Sequence, residues 1–154
     1  MFRRWRMALF LALLVSAVSA NAAIAQNPHF IRNASSATQT AANAVTVTFK
    51  LAGLGAGEAV DITASAPVTI NEQCVNRGGN EPQAANKRSS RVTVSDTQRF
   101  IADDAGNVVG SITLVAPEGT LQCPPGQDKE TTYTFGSVTL SAPQVRRSLT
   151  VPLS

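Results

Sequence analysis

The stretch that decides the fold is AVTVTFKL, residues 44–51. In it Val45, Val47, Phe49 and Leu51 alternate with two threonines and a lysine. Because successive side chains of a β-strand point to opposite faces, this pattern is typical of a strand with one buried and one solvated face. The segment therefore predicts a half-buried strand.

The chain on either side repeats short segments rich in valine and threonine, separated by Gly, Pro, Asn and Asp. No window shows sustained apolar residues at helical spacing, which favours an all-β sandwich or barrel. Further strands are expected at residues 29–36, 60–66, 68–75, 91–100, 108–115, 131–140 and 145–151. A hairpin turn is expected at residues 103–107, where aspartate and glycine supply turn conformations. About eight or nine strands in about 129 residues predict an immunoglobulin-like antiparallel β-sandwich.

The expected core comes from the apolar faces of these strands. It comprises Val45, Val47, Phe49, Leu51, Val60, Ile62, Ile70, Val92, Val94, Phe100, Ile112, Leu114, Tyr133, Phe135, Val138 and Leu140. The chain has 2 cysteines, Cys74 and Cys123, which pair by default in an oxidising compartment. In the chain-entropy model, closing a loop of about 50 residues stabilises a domain by roughly 4 kcal/mol at most. One disulfide is therefore part of the predicted fold.

Residues 1–25 have the order of a secretory signal peptide. Three arginines within the first six residues precede an apolar run over residues 7–18, and small residues follow. The run is roughly a dozen residues long, shorter than the ~20 that cross a bilayer. We predict cleavage after Ala25, with cleavage after Ala22 as the alternative. Residues 26–154 then form a single β-sandwich domain that is secreted and has no transmembrane segment.

The charge balance argues against a nucleic-acid partner. The chain has 13 Lys and Arg residues against 10 Asp and Glu residues, and the three arginines of the predicted signal peptide account for the difference. Residues 26–154 are therefore formally neutral, whereas nucleic-acid binding needs a basic excess on one face. The expected partner is an extracellular or cell-envelope ligand.

Catalytic and metal-binding patterns are scarce. The chain has 1 histidine, His29, near the predicted mature N-terminus, and no Gly-x-Ser-x-Gly elbow supplies a nucleophile. Paired cysteines leave zinc without a ligand set. Asp103 and Asp104 offer oxygen ligands to Ca²⁺, but their spacing fits a turn better. Because the few aromatic residues are needed in the core, a sugar-stacking platform is disfavoured. We predict no enzyme activity, no cofactor and no metal site.

The segment that follows Cys74 is distinctive. Residues 74–87 read CVNRGGNEPQAANK, a C-x-N-x-G-G-x-x-P-x-x-A-N-K pattern, and residues 123–127 read CPPGQ. This pattern resembles that of small exported bacterial proteins of actinobacterial type, and the resemblance runs from Val45 to Leu140. It implies secretion, a β fold and the disulfide, and it brings no activity with it.

The same segment is the candidate binding loop. Paired glycines allow backbone conformations that other residues resist, the asparagines can bond their own backbone, and the proline stiffens the turn. The loop is either a structural turn whose polar groups hydrogen-bond to one another or, together with residues 117–127, a recognition surface for a glycan, a peptide or an envelope component. The candidate binding residues are Asn76, Arg77, Gly78, Gly79, Asn80, Pro82, Asn86 and Lys87.

A secreted, non-enzymatic binding or interaction domain is the function that we expect. The alternative is a small-molecule carrier, because the Val-Thr-Val-Thr strand and its Gly-Leu turn are loosely similar to the apoproteins of antibiotic chromophores. Those apoproteins carry a second disulfide, which this chain cannot form. A small cell-wall hydrolase is the third possibility, and the lack of a catalytic motif argues against it.

Overall fold

Nine β-strands make up most of the computed structural model, which describes residues 27–76 and 86–154. The strands are β1 His29–Phe30, β2 Ser36–Ala41, β3 Ala44–Ala52, β4 Ala59–Asn76, β5 Lys87–Ile101, β6 Val108–Val115, β7 Gln127–Phe135, β8 Val138–Ala142 and β9 Arg147–Val151. Short 3-10 helices lie at Arg32–Ala34 and Pro143–Val145. The predicted signal peptide lies outside the described residues.

The strands form two antiparallel sheets. In the first sheet β3 is central, with β1 and β2 on one edge and β6 on the other. In the second sheet β4 is central, with β5 along one edge. The other edge of β4 is shared by β7 and β8, and β9 pairs with β8. The predicted all-β sandwich is confirmed.

The apolar faces of the two sheets meet in one hydrophobic core. Of the predicted core residues, Val92, Val94, Phe100 and Tyr133 are partly buried against this core and all the others are buried. Phe49 stands between Phe30 and Phe100 in edge-to-face contacts, with ring centroids 6.2 Å and 5.3 Å apart. In such contacts the positive edge of one ring meets the negative face of the other, which stabilises the pair beyond the burial of apolar area. The alternation in β3 thus identifies the buried face correctly.

Strand β4 is longer than the sequence predicts. The expected strands at 60–66 and 68–75 are one strand of 18 residues that passes through Pro67. Proline removes a backbone donor and is normally confined to edges and bulges. Here it lies where β7 ends and β8 begins, and its carbonyl accepts a hydrogen bond of 2.8 Å from the Gly136 N–H. The proline therefore occupies a gap in the pairing on that edge and does not break the strand.

Three other sequence expectations are corrected. The turn at 103–107 is not a hairpin, because β5 and β6 belong to different sheets and the turn is a corner between them. The expected strand at 131–140 is two strands, since the chain bends as it passes from β7 to β8. The opening strand is interrupted by a 3-10 helix, and β2 was not predicted because Ala37 is its one buried residue.

Candidate functional site

The candidate loops leave from one end of the second sheet. We call this end the ribbon; it consists of residues 68–76 of β4, 87–92 of β5 and 127–135 of β7. Its register places Gln73 opposite Lys87 on one side and opposite Glu130 on the other. The predicted binding loop begins after β4, and the loop at residues 117–126 runs into β7. Both loops are thus anchored on the same three strands.

The described part of the binding loop is its base. Asn76 ends β4 and Lys87 begins β5. Gln127 donates from Nε2 to the Asn76 Oδ1 over 3.0 Å, and Asn86 donates from Nδ2 to the Gln127 Oε1 over 3.3 Å. Because both asparagine side chains bond to one glutamine, their amides hold the two ends of the loop together. The other candidate binding residues, Arg77, Gly78, Gly79, Asn80 and Pro82, lie outside the described residues.

The disulfide lies on the inner face of the ribbon. Cys74 and Cys123 are bonded with their Cα atoms 5.6 Å apart, and Cys74 is completely buried. The predicted pairing is confirmed. The bond holds the 117–126 loop against the inward face of β4, next to the base of the binding loop.

A buried carboxylate fixes the same loop a second time. Glu72 has 3% of its surface exposed. Its Oε1 accepts the Leu121 N–H over 2.8 Å and its Oε2 accepts the Thr120 N–H over 3.1 Å. The Lys129 Nζ lies 3.9 Å from Oε1 and donates to the Gly119 carbonyl over 2.9 Å. The loop is therefore tied to β4 by hydrogen bonds as well as by the disulfide.

Glu72 is missing from the predicted site residues, although the sequence carries a signal for it. It occupies an inward position of β4, between Ile70 and Cys74, where the alternation calls for an apolar side chain. A charged residue at such a position is seldom left without partners. Its partners, however, are backbone groups of a loop far along the chain, so the pattern alone does not identify them.

A polar depression lies on the ribbon beside the base of the binding loop. It has a volume of about 430 Å³ and is lined by Asn71, Glu72, Gln73, Lys87, Arg88, Ser89 and Thr132. The Ser89 hydroxyl donates to the Asn71 Oδ1 over 2.7 Å, and the Gln73 Nε2 donates to the Glu130 Oε2 over 3.0 Å. Amides, hydroxyls and two basic side chains in one place suit a ligand rich in hydroxyl or carboxylate groups.

The residues weighed for catalysis or metal binding lie elsewhere. His29 is exposed, and its Nδ1 lies 3.0 Å from the Asn27 carbonyl oxygen. The Asp103 Oδ1 accepts the Ala105 and Asn107 N–H groups over 2.9 Å and 2.8 Å, which is the use expected of an aspartate in a turn. Within residues 27–76 and 86–154, no three His, Cys, Asp or Glu side chains are grouped so that they could hold a metal ion.

The fold and the ribbon define a disulfide-bonded all-β sandwich with a polar site at one end. Comparison with models of protein families, with curated proteins and with solved structures found no match. In the described part of the chain no helix is long and apolar enough to cross a membrane. The function is therefore inferred from the geometry of the chain itself.

Proposed function

We propose that this chain is an exported, non-enzymatic binding domain of immunoglobulin-like type that recognises an extracellular or cell-envelope ligand. Export is supported by the order of residues 1–25 and by the disulfide, since disulfides persist in oxidising compartments. The resemblance of residues 74–87 to small exported bacterial proteins supports the same assignment. The contact surface that we propose is the polar depression together with the binding loop beside it.

The observation that carries the proposal is the polar depression on a fixed frame. Its floor is three paired strands, and the inner face of the ribbon is tied to the 117–126 loop by the disulfide and by Glu72, which also contributes to the lining of the depression. Groups held in place before binding lose less conformational entropy when a ligand arrives. Asn71 and Ser89 are already hydrogen-bonded to each other, so their side chains form one ordered polar surface.

Binding of the secreted, disulfide-intact protein to the cell-wall fraction of its own producer tests the proposal. The Thr132→Arg variant puts a long side chain into the depression from an exposed strand position. Ser111→Arg is the matched control, because Ser111 is an exposed hydroxyl residue on the first sheet. Thr132→Arg is expected to weaken binding about tenfold, as for a central contact residue, and Ser111→Arg to leave it unchanged.

Two outcomes would count against the proposal. If the wild-type protein shows no saturable binding to cell wall, secreted glycans or secreted proteins, the binding function is wrong. If it binds and both arginine variants bind equally well, the ligand contacts another surface. Combined replacement of Asn76, Arg77, Asn80 and Lys87 by alanine then tests the binding loop separately.

A further inference from the structure

Strand β5 is a long edge strand. It has 15 residues and pairs with β4 without interruption from Gln73↔Lys87 to Ala59↔Ile101. It stands at the end of the second sheet, and among the described residues no strand pairs with its other side. Such an edge presents a row of backbone donors and acceptors that another extended chain can use.

The hydrogen-bond register identifies which groups of β5 face the open side. The Ala102 N–H donates to the Glu58 carbonyl over 2.8 Å, so the even-numbered residues here bond toward β4. On the opposite edge of β4, the Gly136 N–H donates to the carbonyl of Pro67, so the odd-numbered residues of β4 bond away from β5. Because N–H and C=O groups alternate in direction along a strand, the odd-numbered residues of β5 direct theirs away from β4. This open row runs through Ser89, Arg91, Thr93, Ser95 and Thr97.

The side chains of β5 give this edge a basic character. The strand carries Lys87, Arg88, Arg91 and Arg99 against one acidic residue, Asp96. The register places the odd-numbered side chains on the outer face of the sheet, with Arg91 beside Thr69. The even-numbered Val92 and Val94 lie on the inner face, half-buried against the core. A strand added at this edge would meet Arg91 and Arg99 on the outer face, where Asp61 of β4 lies beside Arg99. On the inner face it would meet Val92 and Val94, which lie between Arg88 and Asp96.

We propose that the open edge of β5 binds an extended acidic peptide segment as an additional strand of the second sheet. Backbone hydrogen bonds would give affinity, and the two faces would select the sequence. The segment that fits alternates glutamate or aspartate, facing Arg91 and Arg99, with β-branched residues facing Val92 and Val94. This surface is centred on residues 91–99 of β5 and meets the polar depression only at Lys87, Arg88 and Ser89. The inference goes beyond the proposed function because its occupant pairs with the backbone of β5.

Charge favours this occupant over a second copy of the chain. Two β5 strands laid side by side would bring two basic strands together, and like charges across a strand pair are destabilising. Charged residues on edge strands commonly serve to prevent such self-pairing. The same charges attract an acidic strand, so protection against self-association and selection of an acidic partner are compatible.

Titration with synthetic peptides tests the proposal. The probe is a blocked, fluorescently labelled ten-residue peptide that alternates glutamate and valine, and the control peptide replaces each glutamate with lysine. The wild-type protein is expected to bind the acidic peptide with at least about tenfold preference over the basic one. Arg91→Glu is expected to abolish or reverse this preference while leaving the fold intact, because Arg91 is exposed.

A backbone variant separates strand addition from simple charge attraction. Ser95→Pro removes an N–H that faces the open side and keeps the bonds to β4, whereas Ser95→Ala removes the hydroxyl alone. Peptide affinity is expected to fall at least about tenfold for the proline variant and to stay unchanged for the alanine variant. If Ser95→Pro does not fold, Arg91→Glu with the two peptides decides the question.

Three results would overturn the inference. The first is no saturable binding of the acidic peptide to folded wild-type protein. The second is equal binding by Ser95→Pro and Ser95→Ala, which would mean that the backbone edge is not used. The third is a wild-type dimer in analytical ultracentrifugation that Ser95→Pro dissociates and the acidic peptide does not, because the edge then belongs to a second copy. Thr132→Arg should leave peptide binding unchanged, which keeps this test independent of the polar depression.

Discussion

Replacing Glu72 with glutamine is expected to loosen the 117–126 loop, which the disulfide still holds at Cys123, and to lower the free energy of unfolding. The carboxylate accepts one backbone N–H at each oxygen, from Leu121 and from Thr120. Glutamine has the same shape but only one acceptor oxygen, so its NH₂ group must face one of these N–H donors. The substitution therefore leaves one of the two part-buried N–H groups, and the amide N–H that faces it, without an acceptor.

The magnitude follows from these two hydrogen bonds. A hydrogen bond to a charged group contributes about 1.5–3 kcal/mol, and an unsatisfied buried donor costs about 1–3 kcal/mol. Loss of the Lys129 ion pair adds less than about 1 kcal/mol, since the lysine is in contact with solvent. We expect a loss of about 2–4 kcal/mol, a large share of the 5–15 kcal/mol that is typical of a domain.

Urea unfolding of the oxidised protein measures this loss. Glu130→Gln is the matched control, because Glu130 is an exposed carboxylate of the same ribbon that accepts one bond from Gln73. Its effect is expected to stay within about 0.5 kcal/mol. A Glu72→Gln variant as stable as the control would refute the argument that this carboxylate holds the loop.

Two further predictions concern stability. Replacing Cys74 and Cys123 together with alanine should lower the free energy of unfolding by up to about 4 kcal/mol, measured by denaturant titration; an unchanged midpoint would contradict the expected role of the disulfide. Gly106→Ala should cost about 1–3 kcal/mol more than Gly57→Ala, as judged from thermal unfolding. Both glycines have a positive φ, but a Cβ at Gly106 would lie 2.1 Å from the Leu54 carbonyl oxygen, whereas none of the described atoms lies within 4 Å of one at Gly57. Equal losses would show that the turn relaxes around the clash.

Much of the fold follows from local patterns. Alternation in β3 and in Val108–Val115 gives the strands and their buried faces, because one side of each lies on the core. Pro67 misleads because its effect depends on a gap between β7 and β8, which the residues around it do not reveal. The turn at residues 103–107 likewise does not reveal that β5 and β6 pair with strands of different sheets and not with each other.

The candidate site follows from the sequence less directly than the fold does. The unusual composition of residues 74–87 predicts a binding loop, and the depression lies beside the base of that loop. The polar depression, however, joins Asn71, Ser89 and Thr132, which are brought together by the register of three strands. The register of each strand pair is set by contacts between segments that are far apart in the sequence. Local sequence patterns therefore do not specify it.

The central place of β4 also bears on how the chain reaches its fold. β4 and β5 are neighbours along the chain and can pair early, whereas Thr63 pairs with Ser141 and therefore needs the C-terminal part of the chain. Pairing between segments far apart in sequence is slow, because loop closure must precede the contacts that stabilise it. Until β8 and β9 are present, half of one edge of β4 stays open. Pairing of β8 and β9 is thus the step that completes the second sheet.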